Sequence, residues 1–139
     1  MTRARVLLAD DDAMVRRLLA TLVSGDEFEV VAEAADGQEA VDRARETRPD
    51  IVVLDLHMPR LPGLEAAPRI RAASPRTEIL VLTMTDDEEY VERMVKAGAS
   101  GYLVKDRAVS DLLRALRALR AGEGFFGPKA LPGTNGVGH

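Results

Sequence analysis

The sequence predicts an α/β fold in which five parallel strands form one doubly wound sheet, with five helices covering its two faces. The first observation is a set of short runs of consecutive apolar, largely β-branched residues, at 6–9, 51–54, 79–82 and 102–104. Runs without polar alternation are typical of strands buried on both faces, as in parallel sheets. The second observation is that segments with helical spacing separate the strands, and this alternation favours an open sheet with right-handed crossovers.

Local patterns set the bounds of the predicted helices. The first helix carries apolar residues at i, i+1, i+4 and i+5 between Met14 and Val23, and it ends at Gly25. The second ends before Pro49, because a proline disfavours helical backbone in the residue before it. The fourth ends at Gly98, a residue suited to a helix C-terminus. The remaining predicted elements are a strand over 28–34 and helices over 37–48, 64–73, 86–97 and 110–121.

The third predicted helix contains Pro68. Proline lacks the backbone N–H and clashes with the preceding turn unless it lies in the first turn. We therefore expect this helix to start late or to kink.

Length and composition exclude several classes of protein. The chain has 139 residues, no cysteine and a formal net charge of -4. The length suits one domain, and the absence of cysteine excludes disulfides, thiolate zinc sites and thiol nucleophiles. The charge argues against nucleic-acid binding by this chain alone, which would need clustered Lys and Arg. No segment is apolar for long enough to span a membrane or direct secretion, so we expect a cytoplasmic protein.

The composition changes after residue 121. Residues 122–139 include six glycines and two prolines, which is typical of a linker or disordered tail. We therefore expect the packed domain to cover residues 1–121, with Phe125 and Phe126 as candidates for extending it. Eighteen residues cannot form a further folded domain, so an output domain is expected to be absent from this chain.

Polar residues follow directly where the apolar runs end. They are Asp10, Asp11, Asp55, Thr83 and Lys105. Ligands of open α/β sheets bind just beyond the carboxyl ends of the strands. We therefore expect three carboxylates, one hydroxyl and one amine to meet at this edge.

These side chains point to a particular chemistry. Each pair of carboxylates at 4 Å repels by roughly 4 kcal/mol at an effective dielectric of about 20, so positive charge is needed among them. Since no cysteine is available and neither histidine lies beside Asp10 and Asp11, the oxygen-rich ligands suit Mg²⁺. A divalent ion, a lysine and a hydroxyl around one carboxylate are what phosphoryl transfer requires. The carboxylate is then the nucleophile that forms an acyl phosphate.

A set of motifs closely resembles the response-regulator receiver domain over residues 4–121. The motifs are Asp10-Asp11, Asp55-Leu56-His57-Met58-Pro59 followed by Gly63, Leu82-Thr83, and Gly101-Tyr102-Leu103-Val104-Lys105. Order, spacing and strand context all agree, which makes the resemblance specific. Residues 83–90 and 97–102 resemble the NarL/FixJ subfamily, whose members usually carry a LuxR-type helix-turn-helix output domain. The resemblance implies a flavodoxin-like sheet of order 2-1-3-4-5.

The resemblance also implies roles for individual residues. Asp55 would accept a phosphoryl group from the phosphohistidine of a sensor histidine kinase. Asp11 and Asp55 would bind Mg²⁺ directly, together with the main-chain carbonyl of His57, and Asp10 would act through water. Lys105 would pair first with Asp55 and then with the phosphoryl oxygens. Such a domain has self-phosphotransfer and autodephosphorylation chemistry but is not an enzyme in the ordinary sense.

The same resemblance implies a switch. Thr83 would hydrogen-bond the phosphoryl group and move when it arrives, and Tyr102 would be the coupled aromatic residue. The signalling surface would be the fourth helix, fifth strand and fifth helix. The side chains of His57 and Thr85 are candidates for influencing dephosphorylation.

This sequence departs from the family at three positions, and simpler interpretations exist for others. Asp106 stands where many receivers have proline, Pro62 precedes Gly63 where an acidic residue is common, and Pro68 interrupts the third helix. The prolines bear on the loop after Asp55. Asp12 is interpreted as a capping residue of the first helix.

Other functions remain as alternatives. A stand-alone receiver would act through a protein partner rather than through DNA. A haloacid-dehalogenase-like phosphatase would use Asp10 as the nucleophile with Asp12 at the expected spacing, but it leaves Asp55, Met58 and Pro59 without a role. The fifth helix carries an arginine stripe, which is either a solvated face or a contact between two copies of the chain. Its members are Arg114, Arg117 and Arg120.

Overall fold

A single sheet forms the centre of the molecule. The computed structural model describes residues 2–84, 88–126 and 129–131. Seven strands follow the order β2-β1-β3-β4-β5-β6-β7. They are β1 (Ala4–Ala9), β2 (Phe28–Ala34), β3 (Ile51–Asp55), β4 (Glu78–Thr83), β5 (Gly101–Val104), β6 (Gly124–Phe126) and β7 (Lys129–Leu131). All neighbouring strands pair in parallel except β6 and β7, which are antiparallel.

Helices connect the strands and cover both faces of the sheet. They are α1 (Ala13–Val23), α2 (Gly37–Thr47), α3 (Gly63–Ala73), α4 (Glu88–Lys96) and α5 (Ala108–Arg120), with a 3-10 turn at Lys105–Arg107. One buried cluster joins the sheet to α1 and α5, and the other joins it to α2, α3 and α4. All five residues of β3 are buried. The predicted doubly wound α/β class and the order 2-1-3-4-5 of the first five strands are confirmed.

The strand count requires a correction, because the sequence predicted five strands and the sheet has seven. Two short strands lie after residue 121, where a linker was expected. Gly101 and Tyr102 pair with Phe125 and Phe126, and Phe125 is completely buried. Three residues are enough to add a strand here because one phenylalanine fills the core while the backbone pairs with β5. Residues 132–139 lie outside the described residues.

Pro68 does not delay α3, contrary to the expectation of a late start. The helix begins at Gly63, with Pro62 in the N-cap position, and it continues through Pro68 to Ala73. Pro68 lies on an exposed face, where groups left without an intrahelical hydrogen bond remain open to water.

The apolar stripe predicted for α1 is only partly buried. Leu19 and Val23 are buried, whereas Met14 is 80 % and Leu18 50 % exposed. A helix turns by 100° per residue, so only one member of each adjacent apolar pair faces the sheet. Within the described residues, no helix has both the length and the apolar character needed to cross a bilayer.

The register of the sheet determines which residues meet at its carboxyl edge. Ala9 pairs with Leu54, and Asp55 pairs with Leu82. Thr83 pairs with Val104. Asp10, Asp55, Thr83 and Lys105 therefore end or directly follow four neighbouring strands at the same edge of the sheet.

Candidate functional site

Two carboxylates lie deep at the carboxyl edge of the sheet. Asp10 directly follows β1 and has no exposed surface, and Asp55 ends β3 with 1 % exposure. Both strands are largely apolar and have helices on each face, so the residue at the strand end enters the crevice still largely covered. Buried carboxylates without compensation are costly, which makes this pair a candidate for function.

A third carboxylate completes an acidic cluster. Asp10, Asp11 and Asp55 each offer a carboxylate oxygen, and these atoms all lie within 4.8 Å of one another. Asp11 is exposed, so the cluster opens to solvent on one side. The structure thus brings together the three carboxylates that the sequence predicted to meet.

Lys105 provides the positive charge that faces this cluster. It follows β5, and its Nζ lies 3.1 Å from Asp55 Oδ2 and 3.4 Å from Asp10 Oδ2. The Lys105 side chain is 28 % exposed, so its stem crosses the edge of the sheet while the ammonium group reaches the buried oxygens. One ammonium group therefore forms ion pairs with two carboxylates.

The electrostatics of the cluster follow from burial and close charges. Burial raises the pKa of the Asp55 carboxyl above its ordinary value of 3.8; Lys105 opposes this rise, and the Asp10 carboxylate adds to it. Burial alone would lower the pKa of Lys105, but Asp55 and Asp10 outweigh it and hold this pKa above 10.5. Lys105 therefore remains charged while Asp55 is easier to protonate than an exposed aspartate.

The unsatisfied oxygens fit a divalent cation. Within the described part of the chain, Asp10 Oδ2 and Asp55 Oδ2 are buried and receive no hydrogen bond, although both form ion pairs with Lys105. Buried polar atoms normally have hydrogen-bond partners, so such exceptions call for an explanation. Three carboxylates opposed by one ammonium group leave net negative charge, and a donor set made only of oxygen suits Mg²⁺.

The loop between β3 and α3 approaches Asp55 closely. The backbone N–H of His57 donates to Asp55 Oδ1 at 3.1 Å, while the His57 ring lies edge-on to Tyr90 at 6.4 Å. Gly63 N–H donates to the Leu56 carbonyl at 2.9 Å. A Cβ atom at Gly63 would lie 2.8 Å from the Asp55 carbonyl oxygen. The glycine is therefore needed for this loop to pack against the backbone of Asp55.

The two predicted switch residues lie at different depths along the sheet. Thr83 ends β4, is completely buried, and lies one residue beyond Leu82, the residue that pairs with Asp55. Tyr102 lies two residues before Val104 within β5 and is 8 % exposed. Its ring packs against Phe126 of β6 at 6.0 Å between centroids. Thr85 lies outside the described residues.

The loop between β1 and α1 is fixed by hydrogen bonds within itself. Asp12 caps α1, as the sequence predicted, because its side chain accepts from the backbone N–H groups of Met14 and Val15. Asp10 Oδ1 accepts from Asp12 N–H at 2.9 Å. Arg16 was not among the predicted site residues, and its Nη1 donates to the Asp10 carbonyl at 2.7 Å. The sequence shows only an arginine within the predicted first helix, which does not indicate this contact.

The arginine stripe of α5 contacts its own chain. Arg114 lies over the Phe125 ring, with 5.4 Å from Cζ to the ring centroid. Arg117 donates to the Glu27 carboxylate, and Arg120 donates to the Glu27 carbonyl at 3.0 Å. The stripe thus joins α5 to the start of β2, and a contact between two copies through this helix stays a prediction.

Comparisons with known proteins show the family to which the chain belongs. The profile of the response regulator receiver domain matches residues 6–117. The chain is 42 % identical over 125 residues to the uncharacterized transcriptional regulatory protein YxjL of Bacillus subtilis, covering 89 % of this chain and 57 % of that protein. It is 43 % identical over 127 residues to the oxygen regulatory protein NreC of Staphylococcus epidermidis, covering 90 % and 58 %. The chain therefore spans less than two thirds of the length of these relatives.

Solved structures extend the comparison to the fold. A LuxR-family two-component response regulator from Aurantimonas sp. superposes with a TM-score of 0.85 at 39 % identity, covering 91 % of both chains. The response regulator domain of Thermotoga maritima CheB gives 0.77 at 29 % identity, covering 84 % of this chain and 95 % of that one. The chain belongs to the response regulator receiver domains of two-component systems, and its relatives include LuxR-family transcriptional regulators.

Proposed function

We propose that this chain is a phosphorylation switch in which Asp55 accepts a phosphoryl group from the phosphohistidine of a sensor histidine kinase. The observation that carries this proposal is the contact of one ammonium group, Lys105 Nζ, with both Asp55 and Asp10 at 3.1 and 3.4 Å. Asp11 lies in the same cluster. This arrangement offers a nucleophilic oxygen with compensating charge beside it, which is what phosphoryl transfer needs.

The transfer breaks one bond and forms one. An Asp55 carboxylate oxygen attacks phosphorus, an O–P bond forms, and the N–P bond of the phosphohistidine breaks with its electron pair left on the imidazole. Of the two Asp55 oxygens, Oδ1 is held by the backbone N–H of His57 at 3.1 Å. Oδ2 receives no hydrogen bond within the described part of the chain, so we assign it as the attacking atom. After the transfer, Lys105 forms an ion pair with the phosphoryl oxygens, which then carry the negative charge.

The same oxygens suit a metal cofactor. Asp11 and Asp55 would bind Mg²⁺ directly with the His57 main-chain carbonyl, and Asp10 would act through water. When bound, the ion neutralises charge on the transferring phosphoryl group. The chain itself supplies position, because Asp10 and Asp55 are fixed at neighbouring strand ends and stay nearly free of solvent contact.

The proposed output begins at Thr83 and Tyr102. A phosphoryl group adds close to two negative charges and three acceptor oxygens, which can change the preferred position of Thr83. We propose that α4, β5 and α5 form the surface that changes. Since relatives are transcriptional regulators by name, the output is proposed to control a DNA-binding domain outside this chain, in the cytoplasm. A stand-alone receiver that acts on a protein partner is the alternative.

The test is direct chemical phosphorylation. Incubation with acetyl phosphate and Mg²⁺ is expected to add one phosphoryl group by intact mass, and chelation of Mg²⁺ is expected to prevent it. Peptide mass analysis should place the group on Asp55. A label on Asp10 would instead support the phosphatase alternative, and the absence of any label would contradict both functions.

A further inference from the structure

We infer that Arg16 is a positioning residue, which orients the peptide group between Asp10 and Asp11 and thereby sets the affinity of the acidic cluster for Mg²⁺. The inference rests on the proposed function, because it concerns the cation that the cluster is proposed to hold. It assigns a role to a side chain that touches no reacting atom.

Arg16 makes two contacts that face different parts of the fold. Its Nη1 donates to the Asp10 main-chain carbonyl at 2.7 Å, and its Nε donates to Glu33 Oε1 on β2 at 3.1 Å. The Arg16 side chain is only 19 % exposed. A planar guanidinium holds two acceptors in fixed relative directions, which a flexible amine does not. Arg16 therefore ties the loop after β1 to the edge strand β2.

The Asp10 carbonyl belongs to the peptide group that leads into Asp11. A peptide group is planar, so the direction of this carbonyl fixes the direction in which the chain enters Asp11. The preceding amide is also held, because Asp10 N–H donates to the Ala34 carbonyl at 3.0 Å. Asp11 itself is exposed. Its position in the cluster therefore depends on this peptide group more than on packing of its own side chain.

Removing Arg16 removes both a positive charge and a contact with the Asp10 carbonyl, and these two losses have opposite expected effects on Mg²⁺ affinity. A guanidinium near the cluster repels a divalent cation, so loss of its charge alone would strengthen Mg²⁺ binding. Loss of the carbonyl contact would let the peptide group rotate and weaken binding. A weaker affinity after removal of Arg16 is therefore a signature of positioning, and a general loss of charge cannot produce it.

Arg17 offers a matched control. It lies next to Arg16 on α1 and is exposed, so Arg17→Met removes the same charge from the same helix without touching the Asp10 carbonyl. We would measure the Mg²⁺ dissociation constant by calorimetry and the free energy of unfolding in urea for wild type, Arg16→Met, Arg16→Lys and Arg17→Met. Changes in residues that orient metal ligands typically cost 10–100-fold in affinity, so Arg16→Met is expected to bind Mg²⁺ about 10-fold more weakly. Arg17→Met should bind as wild type does or slightly more tightly.

The outcomes separate this inference from the proposed function. If wild type binds Mg²⁺ and Arg16→Met matches Arg17→Met, the positioning role is wrong and the proposed function stands. If wild type binds no Mg²⁺, the proposed function itself is contradicted. Should Arg16→Met fail to fold, Arg16→Lys decides, since it keeps the charge and one donor. A folded Arg16→Lys with weaker Mg²⁺ binding supports positioning, and one with wild-type affinity overturns it.

Discussion

The carboxylates at the two ends of the parallel sheet differ in their exposure and in their hydrogen-bond donors. At the amino end, Asp50 is exposed and its Oδ2 accepts the backbone N–H of Arg5 at 2.8 Å. Glu27 accepts from the Arg117 guanidinium at both carboxylate oxygens. At the carboxyl end, Asp10 and Asp55 are buried, and each keeps an Oδ2 atom without a hydrogen bond within the described part of the chain.

The difference shows which carboxylates stabilise the fold and which destabilise it. Exposed carboxylates that have their own donors contribute to structure and can be replaced at little expense. Buried carboxylates that share one ammonium group destabilise the folded chain, so their retention calls for a functional explanation. The comparison predicts that the same substitution has different consequences at the two ends.

The largest expected effect comes from Asp→Asn substitution at each end of β3. Asp55→Asn should lose phosphoryl uptake from acetyl phosphate completely, because an amide is not a nucleophile comparable to a carboxylate. Asp50→Asn makes the identical chemical change just before the first residue of the same strand and keeps an oxygen to accept Arg5 N–H. It should retain uptake at the wild-type rate. Intact mass against time measures both.

Equal uptake by Asp55→Asn and wild type would remove the functional distinction between the ends. Loss of uptake in Asp50→Asn would show that the comparison reflects general damage to β3. A urea titration of both variants checks that each remains folded under the assay conditions.

The next effect is a pH dependence of stability that belongs to the carboxyl end. The pKa of Asp55 is raised above 3.8, first by burial and also by Asp10, against the opposing effect of Lys105. The folded chain then holds this proton more tightly than the unfolded chain does. The free energy of unfolding therefore falls as the pH rises above 3.8 through the raised pKa of the folded state.

Asp55→Asn has no such ionisation. In buffer without divalent cations, its stability relative to wild type should increase as the pH rises through that window and then become constant. Urea unfolding of both proteins at a series of pH values measures this difference. A difference that stays constant over the whole window would mean that Asp55 titrates alike in both states, and that burial does not disfavour its charge.

Only some residues around the carboxyl end could be predicted from the sequence. The carboxyl end could be predicted because Asp10, Asp55 and Lys105 each follow an apolar run, and parallel strands end at the same edge. Arg16 could not, since its main partner is a backbone carbonyl and a carbonyl has no sequence signature. Tyr102 was expected in the switch, but its contact with Phe126 was not, because glycines around Phe126 indicated a linker.

Two features of the helices show a similar limit. Pro68 was expected to shift or bend α3, but its position on the exposed face depends on how the helix is rotated against the sheet. The exposure of Met14 and Leu18 depends on the same kind of rotation for α1. Periodicity locates a helix along the chain, whereas tertiary packing decides which residues of a broad apolar stripe are covered.

The smallest expected effect tests the amino end. Arg117 and Glu27 form a well-aligned but exposed ion pair, with 54 % and 48 % of their side chains accessible. The hydrogen bonds from Arg117, with its charge and that of Arg120, lower the pKa of Glu27 below 4.5 against the opposing effect of desolvation. The pair therefore contributes stability above pH 4.5, and this contribution is lost as the pH falls through the lowered pKa.

Arg117→Ala should lower the urea midpoint only slightly at neutral pH, and the loss should shrink in high salt because exposed charges are screened. Glu27→Gln is the matched control, since it removes the charge from the other side of the pair and should give a loss of similar size. If Arg117→Ala changed stability more than Asp55→Asn does, the amino end would be the energetically critical one. The contrast between satisfied and unsatisfied carboxylates would then fail to identify the functional end of the sheet.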